Sequence, residues 1–271
     1  KIGDFPTGSL DEESLAFHMT GKKILYVPYD FAPSGTADSP VLQVRGLTRE
    51  PQYRDLNLAV HAGEIVGITG PLGAGRTEFA LSLFGLNPPN SGSVFVDGKE
   101  TNITNPEEAI DAGIALVPED RHLQGLFQKK EIGENLIAAV LDEVTQYGLV
   151  DGKAAAKMAR SWFDQLTIKA NSTEDLVNSL SGGNQQRVVI GKWLATRPKI
   201  LILDGPTVGI DVASKSNIHE IAHNLAREGM AIIIISDEIP EVYKNSNRIV
   251  VMRDGEFIHV VNREEIDQEE L

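Results

Sequence analysis

Apolar and polar residues alternate along two stretches that begin at Val41 and Leu56. The alternation over 41–47 and 56–60 predicts amphipathic strands, because successive side chains of a strand point to opposite faces. Shorter, mostly apolar runs predict further strands, several of them buried on both faces. These runs are Ile65–Thr69, Ser93–Val96, Ile114–Val117, Ile200–Leu203, Ala231–Ile235 and Arg248–Met252.

Helical patterns alternate with these strands. They predict helices over 78–84, over 214–228 and from Asn105–Pro106 onward, where asparagine is a good N-cap and proline fits the first helical turn. From about 119 to 195 the pattern is mostly helical. Its clearest segments are 132–140 and 154–166. This order predicts an α/β fold with a mainly parallel core sheet, an antiparallel β edge and a helical subdomain inserted at about 119–195.

The first forty residues lack the strand pattern that begins a domain. Residues 29–40 are mostly small and polar, which predicts a linker, so the domain proper is expected to span 41–271. The order Gly-acid-Phe followed by an acidic helical start occurs at Gly3–Phe5 and again at Gly255–Phe257. This match indicates that 1–40 ends a preceding, similar domain and that the chain is the second of two tandem copies. The alternative is a coincidence between two acidic segments, which are common on solvated surfaces.

Composition limits the classes of partner. With 271 residues, of which 41% are hydrophobic and 24% charged, the chain can bury a real core as one large domain or two small ones. Its net charge of −14 repels phosphate backbones, so no nucleic-acid partner is expected. The absence of cysteine excludes disulfides and thiolate metal sites. No apolar run reaches the ~18 residues that cross a bilayer.

A glycine-rich stretch, Gly70–Thr77, joins the apolar run 65–69 to the predicted helix 78–84. Its glycines let backbone N–H groups point inward, and the helix adds its positive end, so the loop can cradle phosphate oxygens. The spacing is that of a P-loop, G-x-x-x-x-G-K-[ST], with Arg76 in place of lysine and a Thr77 hydroxyl suited to magnesium. A turn without a ligand, or one in a dinucleotide fold, is the alternative. The residues expected to contact phosphate are Gly70, Gly73, Ala74, Gly75, Arg76 and Thr77.

Three further stretches narrow the function. Ser181 and the pair Gly182–Gly183 stand at a predicted helix start, which makes a second anion-binding turn. The strand 200–203 delivers Asp204 at its C-terminal end, where α/β sheets bind ligands and where a magnesium-coordinating aspartate belongs. Residues 206–211 continue in a turn that ends in another acid. Each stretch alone could be a capped helix, a buried strand or a loop with no ligand. Their order and spacing together favour a nucleotide-binding site over these three unrelated features.

With the sequence LSGGN at Leu180–Asn184, the chain resembles the ATP-binding cassette (ABC) transporter family over 41–271. The resemblance implies that two cassettes face each other head to tail. Each ATP, with its magnesium ion, would lie between the P-loop of one cassette and the signature of the other. Residues 117–122, Gly125–Leu126 and the end of the P-loop resemble more narrowly the second, C-terminal cassette of tandem sugar-import ATPases of the ribose, arabinose, xylose and galactose type.

This resemblance also implies residue roles, partners and a location. Thr77 and Asp204 would hold magnesium, and Glu119 would lie beside the nucleotide. The N-terminal cassette of the same protein would face this one, and the helical subdomain would dock on a membrane permease fed by a periplasmic sugar-binding protein. Such a protein lies peripherally on the cytoplasmic face of the inner (cell) membrane and hydrolyses ATP to drive sugar import.

Several positions depart from the family pattern. Gly205 stands where a catalytic carboxylate follows the strand aspartate, and losing a general base costs ~10²–10⁴-fold in rate. Asp237 replaces the switch histidine, which puts an anion where a γ-phosphate needs a donor. Arg76 offers a planar fork instead of a compact charge, and Glu119 replaces a glutamine, which the resemblance implies is usual for the second cassette. The adenine-stacking aromatic has no clear counterpart, since Tyr53, the nearest, is expected to be a core residue.

These departures suggest a division of labour. Hydrolysis would occur at the composite site built from the partner cassette's P-loop and this chain's Ser181, Gly182 and Gly183. The chain's own site would be degenerate, binding nucleotide weakly or holding it unhydrolysed, and the isolated cassette would be inactive or nearly so. Two alternatives stay open: a soluble ABC ATPase that acts on ribosomes or DNA, and a structural pseudo-ATPase that binds no nucleotide.

Overall fold

The structure is a computed structural model that describes residues 39–268 together with Pro6 and Tyr29. The rest of the predicted tail and linker, including the expected repeat at Gly3–Phe5, lies outside the described residues. Among the described residues, no helix is both long enough and apolar enough to span a membrane.

Strands and helices alternate along the described chain. The strands are β1 (Leu42–Arg49), β2 (Tyr53–Val60), β3 (Ile65–Thr69), β4 (Ser91–Val96), β5 (Lys99–Thr101), β6 (Ile114–Val117), β7 (Thr145–Gln146), β8 (Leu149–Val150), β9 (Ile200–Asp204), β10 (Ala231–Ile235), β11 (Arg248–Arg253) and β12 (Glu256–Asn262). The α-helices are α1 (Arg76–Leu83), α2 (Pro106–Asp111), α3 (Ile132–Ile137), α4 (Gly152–Gln165), α5 (Gly182–Leu194), α6 (Val212–Arg227) and α7 (Ile239–Asn245). Short turns of π- or 3₁₀-helix lie at Arg121–Gly125, Ala138–Val144, Val177–Ser179 and Arg263–Glu265.

The core sheet has the strand order β12-β11-β3-β10-β9-β6. Its neighbouring strands are parallel, except that β12 pairs antiparallel with β11. Strands β9 and β10 are buried along their whole length, as continuous apolar runs in a parallel sheet require. A second, antiparallel sheet has the order β2-β1-β4-β5. The predicted α/β fold, with a mainly parallel core sheet and an antiparallel edge, is confirmed.

The chain between β6 and β9 is largely helical, but its details differ from the sequence expectation. The helix expected over 132–140 ends at Ile137 and continues as a 3₁₀ turn, which Val140 interrupts with a non-helical backbone. Strands β7 and β8 form a small hairpin that the apolar pattern did not predict. Tyr147 and Gly148 take left-handed backbone conformations at its turn, and Tyr-Gly is not among the dipeptides that mark such turns in a sequence.

Apolar side chains pack on both faces of the core sheet. One cluster contains the fully buried Leu42 of β1, Leu56 of β2 and Phe79 of α1. A second cluster contains Ile132 and Leu136 of α3 together with apolar residues of α5 and α6. Tyr53 also lies in the first cluster, as predicted. It is 2% exposed, its hydroxyl donates to Ser82 Oγ at 2.6 Å, and its ring meets the edge of Phe79, so it offers no face to an adenine ring.

Tyr29 is buried, although it belongs to the segment predicted to be a linker. Its ring stacks on His223 of α6 with the centroids 5.3 Å apart. Its hydroxyl donates to the Gly63 carbonyl at 3.0 Å, and Asn247 Nδ2 donates to the Tyr29 carbonyl at 3.0 Å. The segment before the cassette therefore has at least one residue fixed against the cassette core.

The buried His223 is expected to make the protein sensitive to acid. Burial, with help from His219 and Arg227, lowers the pKa of His223 from 6.5 to about 4. Below pH 6.5 the unfolded chain therefore binds the proton more readily, and stability falls until the pH passes the folded-state pKa near 4. The loss from this residue is about 2–3 kcal/mol. His223→Phe, which keeps a ring against Tyr29, should lose that much less between about pH 7 and about pH 4 in urea unfolding. Parallel pH profiles for the two proteins would contradict this.

Candidate functional site

The loops after β3, β6, β9 and β10 meet at one edge of the core sheet. Ile235 pairs with Ile68 on one side and with Asp204 on the other, and Val117 pairs with Leu203. Because parallel strands end at the same edge, the residues that follow them converge there. A cavity of about 360 Å³ lies at this edge.

The cavity gathers most of the predicted nucleotide-binding positions. They are Gly73, Ala74, Gly75, Arg76, Thr77, Glu119 and Asp204, together with Gly205 and Asp237, the two positions predicted to be degenerate. Gly70 lies beside this cavity, in the wall of a neighbouring one of about 520 Å³ that also includes Asp237. The sequence therefore predicted which residues share a site, and their chemical roles stay predictions.

Two glycines of the P-loop are required by close backbone approaches. Gly70 has φ +151°, and a Cβ there would lie 1.9 Å from the Met252 carbonyl oxygen. Gly75 has φ +100°, and a Cβ there would lie 2.7 Å from the Gln52 carbonyl oxygen. Gly75 is also the N-cap of α1 and makes no side-chain cap hydrogen bond, so the first N–H groups of the helix are available to an anion at the cavity.

The donors and oxygens at the cavity fit a nucleotide with magnesium. Arg76 is 9% exposed, and its Nη1 is buried with no hydrogen-bond partner among the described residues. A phosphate oxygen would satisfy this orphaned donor. Thr77 and Asp204 contribute a hydroxyl and a carboxylate that share a hydrogen bond, and such oxygens are the ligands magnesium prefers. The described residues contain no group of three or more His, Cys, Asp or Glu that could hold a metal ion, so magnesium here would also need phosphate or water oxygens.

Asp204 is 5% exposed, and its environment disfavours the charged carboxylate. Burial raises its pKa from 3.8 to about 6, and the charge of Glu119 adds to the rise, while the Thr77 hydrogen bond and Arg76 oppose it. A magnesium ion would reverse this balance, because the ion's own charge stabilises a carboxylate beside it.

Asp204→Asn is expected to stabilise the protein when magnesium and nucleotide are absent. The pKa of Asp204 is higher in the folded protein than in the unfolded chain, so its ionised carboxylate lowers the stability of the fold above about pH 6. This loss of stability is relieved as the pH falls through about 6. Near neutral pH the cost is on the order of 3 kcal/mol, which asparagine avoids. Urea unfolding in a chelating buffer measures the change. The matched control is Asp211→Asn, because hydrogen bonds from Ser214 lower the pKa of Asp211 and that variant should be destabilised. Shifts of the same sign in both variants would contradict the assignment.

Gly205 stands at the position where the sequence resemblance implies a catalytic carboxylate. Gly205 has φ +53°, a left-handed conformation that disfavours other residues. A Cβ there would lie 2.9 Å from Glu119 Cγ and 3.2 Å from Val208 Cγ2. Glu119 thus lies against the space that a side chain at 205 would enter. Asp237, at the switch position, is exposed at the rim of the same cavity.

The turn at Ser181–Gly183, called the signature turn below, lies outside the P-loop cavity. Ser181 is the N-cap of α5, is exposed, and its Oγ accepts a hydrogen bond from Asn184 Nδ2 at 2.9 Å. Gly182 and Gly183 form the first turn of the helix. None of these three is among the described residues that line the 360 Å³ cavity. A phosphate at this turn would therefore need residues beyond those that line the P-loop cavity.

One buried cluster beside the site could not be read from the sequence. Glu241 of α7 accepts hydrogen bonds from Thr207 Oγ1 at 2.7 Å and from Ser236 Oγ at 2.6 Å. His219 Nε2 of α6 lies 3.0 Å from the same carboxylate. The sequence shows a histidine, His219, next to the apolar Ile218 on a predicted helix. This pattern does not show that Glu241 is the hydrogen-bond partner of the histidine. The cluster joins the loops after β9 and β10.

Comparison with known proteins identifies the family. The family model described as "ABC transporter" matches residues 53–208. The chain belongs to the ABC transporter family.

Curated ABC relatives have sugar-import names. The chain is 41% identical over its full length to 51% of the "Putative ribose/galactose/methyl galactoside import ATP-binding protein" of Pseudomonas syringae pv. syringae (strain B728a). It is 42% identical over 86% of its length to 45% of "Ribose import ATP-binding protein RbsA 3" of Rhizobium etli. The chain thus spans about half the length of the curated relatives it matches.

Solved ABC cassettes share the fold. A nucleotide-free ATP-binding cassette from an ABC transporter has a TM-score of 0.74 at 20% identity, covering 84% of this chain and 93% of that one. A dimeric ATP-binding cassette in a post-hydrolysis state bound to ADP and Pi has a TM-score of 0.69 at 24% identity, covering 82% and 98%.

Proposed function

We propose that the chain is the C-terminal ATP-binding cassette of a sugar-import ABC transporter, with a signature turn that serves the hydrolytic site of the N-terminal cassette. Its own site holds nucleotide without hydrolysing it. The observation that carries this proposal is the cavity itself. It combines the P-loop and Asp204 with a left-handed glycine at 205, where the family has its catalytic carboxylate.

In this proposal ATP and magnesium bind at the cavity of the chain. The N–H groups of the P-loop and the guanidinium of Arg76 hold the phosphates, and Thr77 and Asp204 hold the metal. Glu119 and Asp237 add negative charge at the rim, which weakens binding of a polyanion. The exposed turn at Ser181–Gly183 contacts the γ-phosphate of the nucleotide on the partner's P-loop.

The partners follow from the family and from the length of the relatives. A sugar-import protein needs a membrane permease and a periplasmic sugar-binding protein, so the cassette pair lies on the cytoplasmic face of the membrane. The names of the relatives and their roughly twofold greater length support this assignment. The net charge of −14 argues against a nucleic-acid partner.

Titration of the chain with a fluorescent ATP analogue, with and without magnesium, tests the proposal. We expect magnesium-dependent binding of the analogue, and Thr77→Ala should weaken that binding at least about tenfold. ATP incubated with the chain should form ADP no faster than ATP in buffer alone. Absence of binding at millimolar nucleotide would favour a structural pseudo-ATPase. Turnover that Asp204→Asn removes would contradict a non-hydrolysing site. Recovery of the full protein in the soluble fraction, without membranes that contain a permease, would favour a soluble ABC ATPase.

A further inference from the structure

Arg121 is a buried guanidinium to which the proposed function gives no role. It opens the π-helical turn after β6 and is 9% exposed. Its Nη1 donates to the Val208 carbonyl at 2.7 Å, and its Nη2 donates to the Gly209 carbonyl at 3.2 Å. Both acceptors are consecutive backbone oxygens of the loop 205–211. The planar fork of arginine therefore fixes the path of this loop, which a point charge would do less well.

The signature turn packs against the same guanidinium. A Cβ at Gly182 would lie 3.0 Å from Nη2 of Arg121 and 3.3 Å from Cγ2 of Ile210. A Cβ at Gly183 would lie 2.2 Å from Oγ of Ser214. The start of α5 thus lies directly on the loop and on Arg121, with no room for an intervening side chain. Contacts in a packed interior transmit displacement, so a movement of the loop 205–211 also moves the signature turn.

The opposite side of the loop reaches the nucleotide cavity. Gly205 and Val208 line that cavity. Thr207 is tied through Glu241 to Ser236, which also lines it. A ligand that moves the cavity wall therefore displaces the loop that Arg121 holds.

We propose that Arg121 is a positioning residue that couples the two ATP sites. It transmits the occupancy of this chain's cavity, through the loop 205–211, to the orientation of Ser181 at the partner's site. The ligand that is sensed is a magnesium-bound nucleoside triphosphate. The inference rests on the proposed function, because it needs a hydrolytic site at the partner's P-loop.

The test uses the longer tandem protein assembled with its permease, and measures kcat and KM for Mg-ATP hydrolysis. Thr77→Ala, which removes a magnesium ligand from this chain's cavity, should lower kcat about fivefold. In the Arg121→Lys background the same change should alter kcat by less than about 1.5-fold, because the signature no longer senses the cavity. Arg121→Lys alone should lower kcat about tenfold with little change in KM, since it misplaces the signature without touching the partner's P-loop.

Arg187→Lys is the matched control. Arg187 lies on α5, the helix that begins at the signature turn, and its Nη1 donates to two consecutive backbone carbonyls, those of Leu166 and Thr167 at 2.6 and 2.9 Å. The control makes the same chemical change away from the loop 205–211, so the fivefold effect of Thr77→Ala should persist in it. Arg121→Gln, which keeps an amide NH2 donor group without a buried charge, is the second variant if Arg121→Lys lowers the unfolding temperature too far for the assay.

Two results overturn the inference and are distinguishable. If the Thr77→Ala and Arg121→Lys effects simply multiply, Arg121 does not couple the sites, while the proposed function stands. If Ser181→Arg in the same protein leaves hydrolysis intact, the signature serves no hydrolytic site. The proposed function then fails, and the inference fails with it.

Discussion

Ser181→Arg is expected to abolish sugar uptake by the assembled transporter and to lower its ATP hydrolysis by about 10²-fold or more. Ser181 is the exposed N-cap residue of α5, and its side chain makes no capping hydrogen bond to the first N–H groups of that helix. A small hydroxyl beside free N–H groups can contact a phosphate held by another cassette. An arginine there fills that space and keeps the two cassettes apart. Uptake of radiolabelled sugar and phosphate release, both in vesicles, measure the two effects.

The control for this variant is Ser179→Arg. Ser179 is exposed too, lies in the 3₁₀ turn just before the signature, and its Oγ donates to the Leu176 carbonyl at 2.7 Å. The same large cation at that position should leave most of the transport intact. Equal losses in both variants would show that surface charge near α5, and not the signature turn, limits the transporter.

Gly70→Ala is expected to destabilise the cassette by about 3 kcal/mol or more. Its Cβ would lie 1.9 Å from the Met252 carbonyl oxygen, so either the P-loop or β11 must move. Gly73→Ala provides the comparison, because a Cβ at Gly73 meets nothing within 4 Å. It incurs only the backbone strain of φ +79°, which costs about 1–2 kcal/mol. Urea unfolding of both variants measures the difference, and similar losses would contradict the contact between Gly70 and β11.

Much of the fold follows from short-range patterns. The apolar runs at Ile65–Thr69 and Ala231–Ile235 coincide with β3 and β10, because a strand buried on both faces leaves few alternatives for such sequences. The N-cap at Asn105 is likewise set by its own side chain, which accepts from the Glu108 N–H. The hairpin β7–β8 depends instead on two left-handed residues without a strong turn signal. The burial of Tyr29 depends on α6, which is distant in sequence, so no local pattern could predict it.

Most residues that line the cavity could be named from the sequence, because the P-loop spacing and the residues after each strand follow local chemistry. The geometry of the cavity was not predictable. The sequence shows glycine at 205, but the left-handed backbone and the approach of Glu119 Cγ require coordinates. Arg121 lies within the recognisable stretch 117–122, yet its bonds to Val208 and Gly209 join residues far apart in the chain. Such long-range pairings carry no periodic signal that one sequence can reveal.

In the proposed function, only the partner's P-loop site hydrolyses ATP. The most direct test is a single-turnover experiment on the longer tandem protein with its permease. Both sites are filled with radiolabelled ATP, magnesium starts the reaction, and the bound nucleotide is quenched and counted. We expect about half of the bound ATP to become ADP in the fast phase, and the remainder to stay as ATP because Gly205 supplies no base. Conversion of nearly all the bound ATP at one rate would contradict it.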